Sequence, residues 1–319
     1  MDHDIIVHPG RLPGRLEADD LDDLVARFST ASKSEATRRA YASDWRDFLA
    51  WCRAAGEQAA PAAPRTVNRY LAHLVTLGRA VSTIDRRAAA IACAHRAFDL
   101  EPPTTREEVR NVLTGIRNTL RHQPAKKQAL TADLVAKVVK KIRPDLTGAR
   151  DRAMILLCFG AALRRSELVA LDVVNLEFHR RGLLVRLLRT KTDQAGEGRT
   201  VAVPNGKLKI PDAIRGWFET AGITEGAAFR GTDRNHLSPD RLTAGHFARV
   251  LKGRCAAIGL DPDLIGGHSP RRGFATTAGD VGADLRLTAK HMRHSKLETT
   301  LGYMEDGELF RESVGGDFL

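Results

Sequence analysis

Cysteine is scarce in this chain and poorly placed for either of its common tasks. The four cysteines, Cys52, Cys93, Cys158 and Cys255, are scattered and form no C-x-x-C pair. That excludes zinc-ribbon spacing and a dense disulfide framework, and predicts buried thiols in a reducing compartment, the cytoplasm. Long apolar runs are also missing. The longest, Ala153 to Leu163, spans eleven residues between Arg152 and Arg164. A membrane-crossing helix needs about 20, so this run predicts a core helix. The chain does not open on a cationic start followed by an apolar stretch, and it carries no lipidation signal, so neither export nor a membrane partner is expected. Aromatic residues are only 5% of the total, with three tyrosines.

What is abundant is positive charge. Lys plus Arg exceeds Asp plus Glu by 50 − 39 = 11 over 319 residues, and the sequence pI is about 9.9. Such an excess favours a polyanionic partner, nucleic acid before membrane. The length suits about two domains, each burying its own core.

Residues 1–30 form a mixed lead-in with an acidic knot (Glu17, Asp19, Asp20, Asp22, Asp23) and room for a short helix from Leu21 to Phe28. Residues 31–118 read as a helical domain. Tyr41, Trp45, Phe48, Leu49 and Cys52 lie on one stripe of a helix over Ser34–Arg53, with Arg39, Arg46 and Arg53 off it. Ser82 is placed to cap a helix that turns Ile84, Ala88, Ile91 and Phe98 inward and Arg86 outward. Thr104 and Thr105, three before Glu107 and Glu108, form a capping-box signature for a helix burying Val109, Val112, Leu113 and Ile116 and exposing Arg117. An ordinary solvated face explains any one of these helices. Arg39, Arg46, Arg86 and Arg117 on several outer faces together suit a surface laid on phosphates. Residues 119–130 lose apolar periodicity and hold Pro124, Lys126 and Lys127, the expected linker, whose lysines are candidate DNA contacts.

The remainder, residues 131–319, opens with two helices, about Leu130–Ile142 and Ala149–Phe159. Gly182–Leu188 and Val201–Pro204 around a glycine-containing polar turn read as a hairpin with Lys191 at its mouth. Pro211–Gly259 reads as helices and loops, with a helix over Leu242–Ile258. Then come His268 and Arg271, three apart and so on one face of a helix. His294 follows Arg271 by 23 residues, and Tyr303 follows His294 by nine. Cationic or proton-handling groups with a phenol suit attack on a phosphodiester.

His268-Ser269-Pro270-Arg271, the turn around Gly282, His294-Ser295 and Thr299-Thr300-Leu301-Gly302-Tyr303 resemble the C-terminal box of the tyrosine recombinases, the phage integrase family. Leu163-Arg164-Arg165-Ser166-Glu167-Leu168 resembles that family's first box. Ala162 and Arg293 stand where the family has glycine, the latter a small departure by sequence. The resemblance implies a two-domain, mainly α architecture with a small β-hairpin or sheet: a helical core-binding domain and an α/β catalytic domain. It implies strand exchange through a 3′-phosphotyrosyl enzyme, needing neither metal nor nucleotide cofactor. Tyr303 would be the nucleophile, Arg164, Arg271 and His294 would stabilise charge on the phosphate, and Glu167 would support Arg164. Lys191 would be the general acid, with Lys207 and Lys209 as rivals. His268 would serve as base or as structural donor.

A free phenol, with a pKa of about 10, is a weak nucleophile near neutrality but a better leaving group than an alkoxide, which suits a reversible step. Other readings are a topoisomerase of the type that cuts one strand through tyrosine, and a DNA-binding regulator that no longer cuts. His291 and His294, three apart, are a metal pair only in principle, because no third ligand at zinc spacing is near. The family resemblance further implies duplex DNA with short inverted core sites as partner, and a homo-tetramer on two duplexes. Leu309, Phe310, Val314 and Phe318 in the tail would dock on a neighbouring copy.

Overall fold

A computed structural model describes residues 35–120, 127–187, 198–233, 236–294 and 296–308. The expected lead-in helix, Lys126, Lys191 and the apolar tail from Leu309 lie outside the described residues. The chain divides into two compact units, one within residues 1–123 and one within 124–319.

The first unit is helical: α1 Glu35–Ala55, α2 Pro64–Thr76, α3 Val81–Ala97 and α4 Glu107–Thr119. The α1 stripe supplies Phe48 and Cys52 to a core with Val67, Tyr70, Leu71, Leu74, Ile84, Ile91 and Val109. Phe48 meets the edge of the Tyr70 ring at 5.0 Å. His95 is fully buried, one ring nitrogen 2.9 Å from the Ile91 carbonyl and the other accepting the Ala62 N–H at 3.0 Å. Three local expectations fail. Ser82 is not the cap of α3; Ala80 holds that place with no side-chain bond, because the chain leaves its turn two residues earlier. Phe98 lies one residue past the end of α3 and is 59% exposed. Thr104 and Thr105 belong to a 3-10 turn, Pro103–Thr105, in which the Thr105 hydroxyl donates to the Pro102 carbonyl, so Arg106 caps α4.

The second unit is mainly helical with two small sheets. It holds α5 Ala132–Lys141, α6 Leu146–Gly160, α7 Arg165–Ala170, β1 Leu176–His179, β2 Gly182–Leu187, β3 Arg199–Pro204 and α8 Ile210–Ala221, followed by β4 Arg230–Asp233, β5 His236–Arg241, α9 Ala244–Ala256, α10 Ser269–Asp280, α11 Leu285–Met292 and α12 Leu297–Glu308. A helix apolar all round belongs in the interior, and Ala153 to Phe159 of α6 are all buried. Truncating a side chain such as Leu157 to Ala there would cost about 2–5 kcal/mol. β1, β2 and β3 form an antiparallel sheet in that order, with Leu183 facing Val203 and Val185 facing Val201. The expected hairpin is therefore two strands of three. The β4–β5 hairpin was not expected in the helix-and-loop text after Pro211; its residues are polar and show no clean alternation. Cys52, Cys158 and Cys255 are buried free thiols, whereas Cys93 is only half-buried. No helix among the described residues is long and apolar enough to cross a membrane.

Two features seat α10. A Cβ on Gly273 would come within 1.8 Å of the Leu130 carbonyl oxygen, so only glycine lets α10 pack against that backbone. The Leu130 N–H then donates to the Ser269 carbonyl, and the Ala132 N–H to the Thr277 hydroxyl, both at 3.0 Å.

Candidate active site

Arg164 caps α7 at the turn where the buried helix α6 ends. That turn needs a left-handed residue, which is Ala162 at φ 46°. Glu167 reaches back to accept both the Arg164 backbone N–H at 2.8 Å and Nη1 at 2.6 Å. Burial alone would raise the Glu167 carboxyl; the charge of Arg293 and the bonds and charge of Arg164 outweigh it and hold the group below its ordinary value.

His268 is the N-cap residue of α10 and Arg271 lies in its first turn, in keeping with the shared helix face that their three-residue spacing predicts. Arg271 is 5% exposed. Its Nη1 donates to the Ala162 carbonyl at 2.5 Å, and its Nη2 donates to the Met292 carbonyl. Burial, then the charges of Arg164 and Arg293, push its pKa down to about 10, which leaves it a cation near neutrality. His268 keeps an accessible edge. Desolvation by the surrounding protein, followed by Arg165, Arg271 and Arg164, lowers its pKa below the ordinary value, favouring the neutral ring.

His294 follows the end of α11, one ring nitrogen, Nδ1, lying 2.8 Å from the buried Thr300 hydroxyl. Burial, then Arg271, Arg164 and Arg293, push it down to about 4. It is a neutral ring at pH 7. Its centroid lies 6.1 Å from that of Tyr303 on α12. The Arg272 guanidinium sits 6.0 Å from the Tyr303 ring centre and donates to the Lys127 carbonyl at 2.6 Å.

These groups surround one cleft of about 440 Å³, lined by Lys127, Arg164, His268, Ser269, Arg271, Arg272, Arg293, His294, Thr299 and Tyr303. Five of the six residues expected to act on a phosphate are thus brought together, and Lys191 lies outside the described residues. A phosphodiester in this cleft would meet cations and a phenol, with neutral imidazoles beside them. His291 is occupied otherwise, its ring stacked 4.5 Å from Phe274 and its Nε2 2.9 Å from the Gly160 carbonyl. No group of three or more potential metal-binding His, Cys, Asp or Glu residues occurs among the described residues.

The remaining expected DNA contacts differ from one another. Lys127 reaches the cleft, with its Nζ 2.5 Å from the Asp263 carbonyl. In the first unit Arg39 and Arg46 are exposed. Arg86 and Arg117 are also exposed, but each forms a two-toothed pair with a carboxylate, Asp44 and Asp85 respectively. Both face outward as expected, with a carboxylate partner that the sequence did not indicate. Two cleft residues had not been singled out. Arg272 carries no sequence signal beyond its place beside Arg271. Arg293 had one, its substitution for a glycine, and the departure is not small: the residue is 2% exposed and lines the cleft.

Fold and cleft together define a tyrosine recombinase. Residues 128–308, more than half of the chain, match the model described as "Phage integrase family", and the chain belongs to that family. It is 33% identical over 291 residues to an integrase/recombinase xerD homolog of Selenomonas ruminantium, covering 89% of this chain and 85% of that protein. It is 26% identical over 316 residues to tyrosine recombinase XerA of Pyrococcus furiosus, covering 95% and 98%. Two solved structures share the fold. A lambda integrase dimer bound to a COC' core site matches with a TM-score of 0.61 and 15% identity, over 90% of this chain and 76% of that one. XerH bound to a palindromic difH substrate, a post-cleavage complex, matches with a TM-score of 0.58 and 17% identity, over 78% and 70%. The protein is a tyrosine-type site-specific recombinase acting on DNA.

Proposed function

We propose that this recombinase cuts and rejoins duplex DNA at short inverted core sites, as four copies on two duplexes, with Tyr303 as nucleophile. The observation that carries the reading is the single cleft holding Arg164, His268, Arg271, His294 and Tyr303. The palindromic substrate of XerH is in keeping with inverted half-sites. The catalytic unit is residues 131–319 and the core-binding unit residues 31–118, joined by 119–130.

The Tyr303 oxygen bonds to phosphorus as the bond from phosphorus to the 5′ oxygen breaks, leaving a 3′-phosphotyrosyl ester. The departing oxygen takes a proton from Lys191. The phenolic proton passes to His268, whose neutral state suits acceptance. Arg164 and Arg271 stay charged and can each offer planar donors to the non-bridging oxygens. His294, being neutral, adds a hydrogen bond without another like charge. The tautomer that makes this bond available has Nδ1 accepting from the Thr300 hydroxyl, 2.8 Å away, and Nε2 carrying the ring proton. A 5′-hydroxyl from the partner duplex then attacks the ester and regenerates the phenol, so one phosphodiester replaces another.

Tyr303→Phe tests the assignment. The variant should bind its DNA normally and leave no protein-linked DNA on a denaturing gel. An adduct that persists in the variant removes Tyr303 from the mechanism.

A further inference from the structure

Arg293 and Ala162 are both left-handed and neither is glycine, at φ 59° and 46°. Holding an L-residue there costs free energy, because its Cβ crowds the following carbonyl oxygen. The Arg293 guanidinium repays it with four hydrogen bonds. Nη1 donates to the Ala161 carbonyl at 3.1 Å and the His291 carbonyl at 2.9 Å. Nη2 donates to the Ala162 carbonyl at 2.8 Å and to Glu167 Oε2 at 3.0 Å.

Two of these acceptors are shared. Glu167 grips Arg164 with the same carboxylate, and the Ala162 carbonyl also receives Arg271 Nη1. One buried side chain therefore ties the α6–α7 turn to the end of α11, and its acceptors are those that hold both phosphate-facing arginines. Each terminal nitrogen of Arg293 has two protein acceptors, so no fork is left to offer a phosphate, whereas Arg271 spends only one bond on each of its terminal nitrogens. Arg293 differs also from Arg164, whose side chain is 18% exposed.

We propose that Arg293 is a positioning residue for strand cleavage, fixing Glu167 and the Ala162 carbonyl so that Arg164 and Arg271 present their donors to the non-bridging oxygens of the scissile phosphate. This rests on the reading of the cleft given above. The sequence position that a glycine could fill on backbone grounds is thus used for a second function. A glycine there would relieve the turn and leave Glu167 with one cation in place of two.

The test compares cleavage of a suicide duplex carrying a normal scissile phosphate with one carrying a methylphosphonate, in which a non-bridging oxygen and its charge are gone. Arg293→Gly should bind a half-site within about threefold of wild type, since its DNA contacts are intact. Its single-turnover cleavage of phosphate should be about 100-fold slower, the scale of a misplaced catalytic donor. On methylphosphonate the gap to wild type should shrink to under about tenfold, because less charge remains for the arginines to meet. Arg164→Ala is run beside it and should show the same narrowing. A gap equal on both substrates, or no gap, overturns the proposal while Arg164→Ala still behaves as expected. If Arg164→Ala itself cuts at the wild-type rate, the reading of the cleft fails and the proposal with it. Should Arg293→Gly not fold, Arg293→Lys keeps the buried charge and loses the fork, and the same two outcomes decide.

Discussion

The two units use arginine in opposite ways. In the N-terminal unit several arginines are matched one to one with acids: Arg86 with Asp44, Arg87 with Asp47 and Arg117 with Asp85. In the C-terminal cleft Arg164 and Arg293 share one carboxylate, Glu167, while Arg271 and the other bonds of the Arg293 terminal nitrogens go to backbone carbonyls. Carbonyls satisfy hydrogen bonds without cancelling charge. Three cations against one anion leave a local balance of 3 − 1 = +2, held in place before any DNA arrives. A paired surface gains specificity of packing and little field, whereas an unmatched buried cluster is costly to assemble and strong toward an anion.

The largest effect should come from removing the anion of the cluster. Glu167→Ala leaves Arg293 buried without its counter-charge, which typically costs about 3–5 kcal/mol. Urea unfolding of the two proteins at pH 7 measures it, and a loss under 1 kcal/mol would mean that the carbonyls alone suffice. The sign with pH follows from the depressed Glu167 carboxyl. Its contribution is complete above the ordinary value of 4.5 and drains as pH falls through the lower folded value, so the two unfolding curves should converge in acid.

Next is Arg271, proposed above as a donor to the phosphate. Arg271→Ala should cut a suicide substrate about 10²–10³-fold more slowly, equivalent to about 2.7–4 kcal/mol of barrier, with half-site binding retained. Equal losses in binding and cleavage would recast Arg271 as a structural residue of the α6–α10 contact.

His294 gives a smaller, pH-dependent effect. Its folded pKa of about 4 lies below its ordinary 6.5, so between those values the unfolded chain binds the extra proton. Stability should therefore rise with pH across that window and level off above it. His294→Asn should flatten the slope there, as read from thermal unfolding in a pH series; an unchanged slope assigns the titration to another group.

How much of this was legible follows the same division. The three-residue spacing fits His268 and Arg271 to one face of a helix, which α10 supplies with His268 as its N-cap, and the eleven-residue apolar run predicted the buried helix α6. Both depend on period and length, which a linear sequence preserves. The β4–β5 hairpin escaped because residues 230–241 are mostly polar and lack an alternating face. Phe98 was expected inside because the helix was read one residue too far. Arg293 was visible only as a broken motif. That its side chain would turn inward depends on carbonyls more than 130 residues away in sequence, at Ala161 and Ala162, and no local pattern encodes that. The acids that partner Arg86 and Arg117 escaped for the same reason, lying 42 and 32 residues away.

The smallest effect decides what the paired surface is for. Arg117 and Asp85 are 49% and 37% exposed, and such a pair contributes about 0.2–1 kcal/mol, less in salt. Breaking it with Asp85→Ala should barely move the unfolding midpoint. Its effect on DNA separates two uses of the arginine. If Arg117 meets a phosphate, releasing it from Asp85 removes a competing anion, and half-site binding in Asp85→Ala should tighten severalfold. Arg117→Ala should then reduce the slope of log affinity against log salt by about 1, uniformly across DNA sequences. If the pair only joins α3 to α4, both variants should leave affinity and salt slope unchanged while losing the same few tenths of a kcal/mol of stability. Titrations of both variants on a labelled half-site at several salt concentrations distinguish the outcomes, because a stability defect that small cannot alter the salt slope.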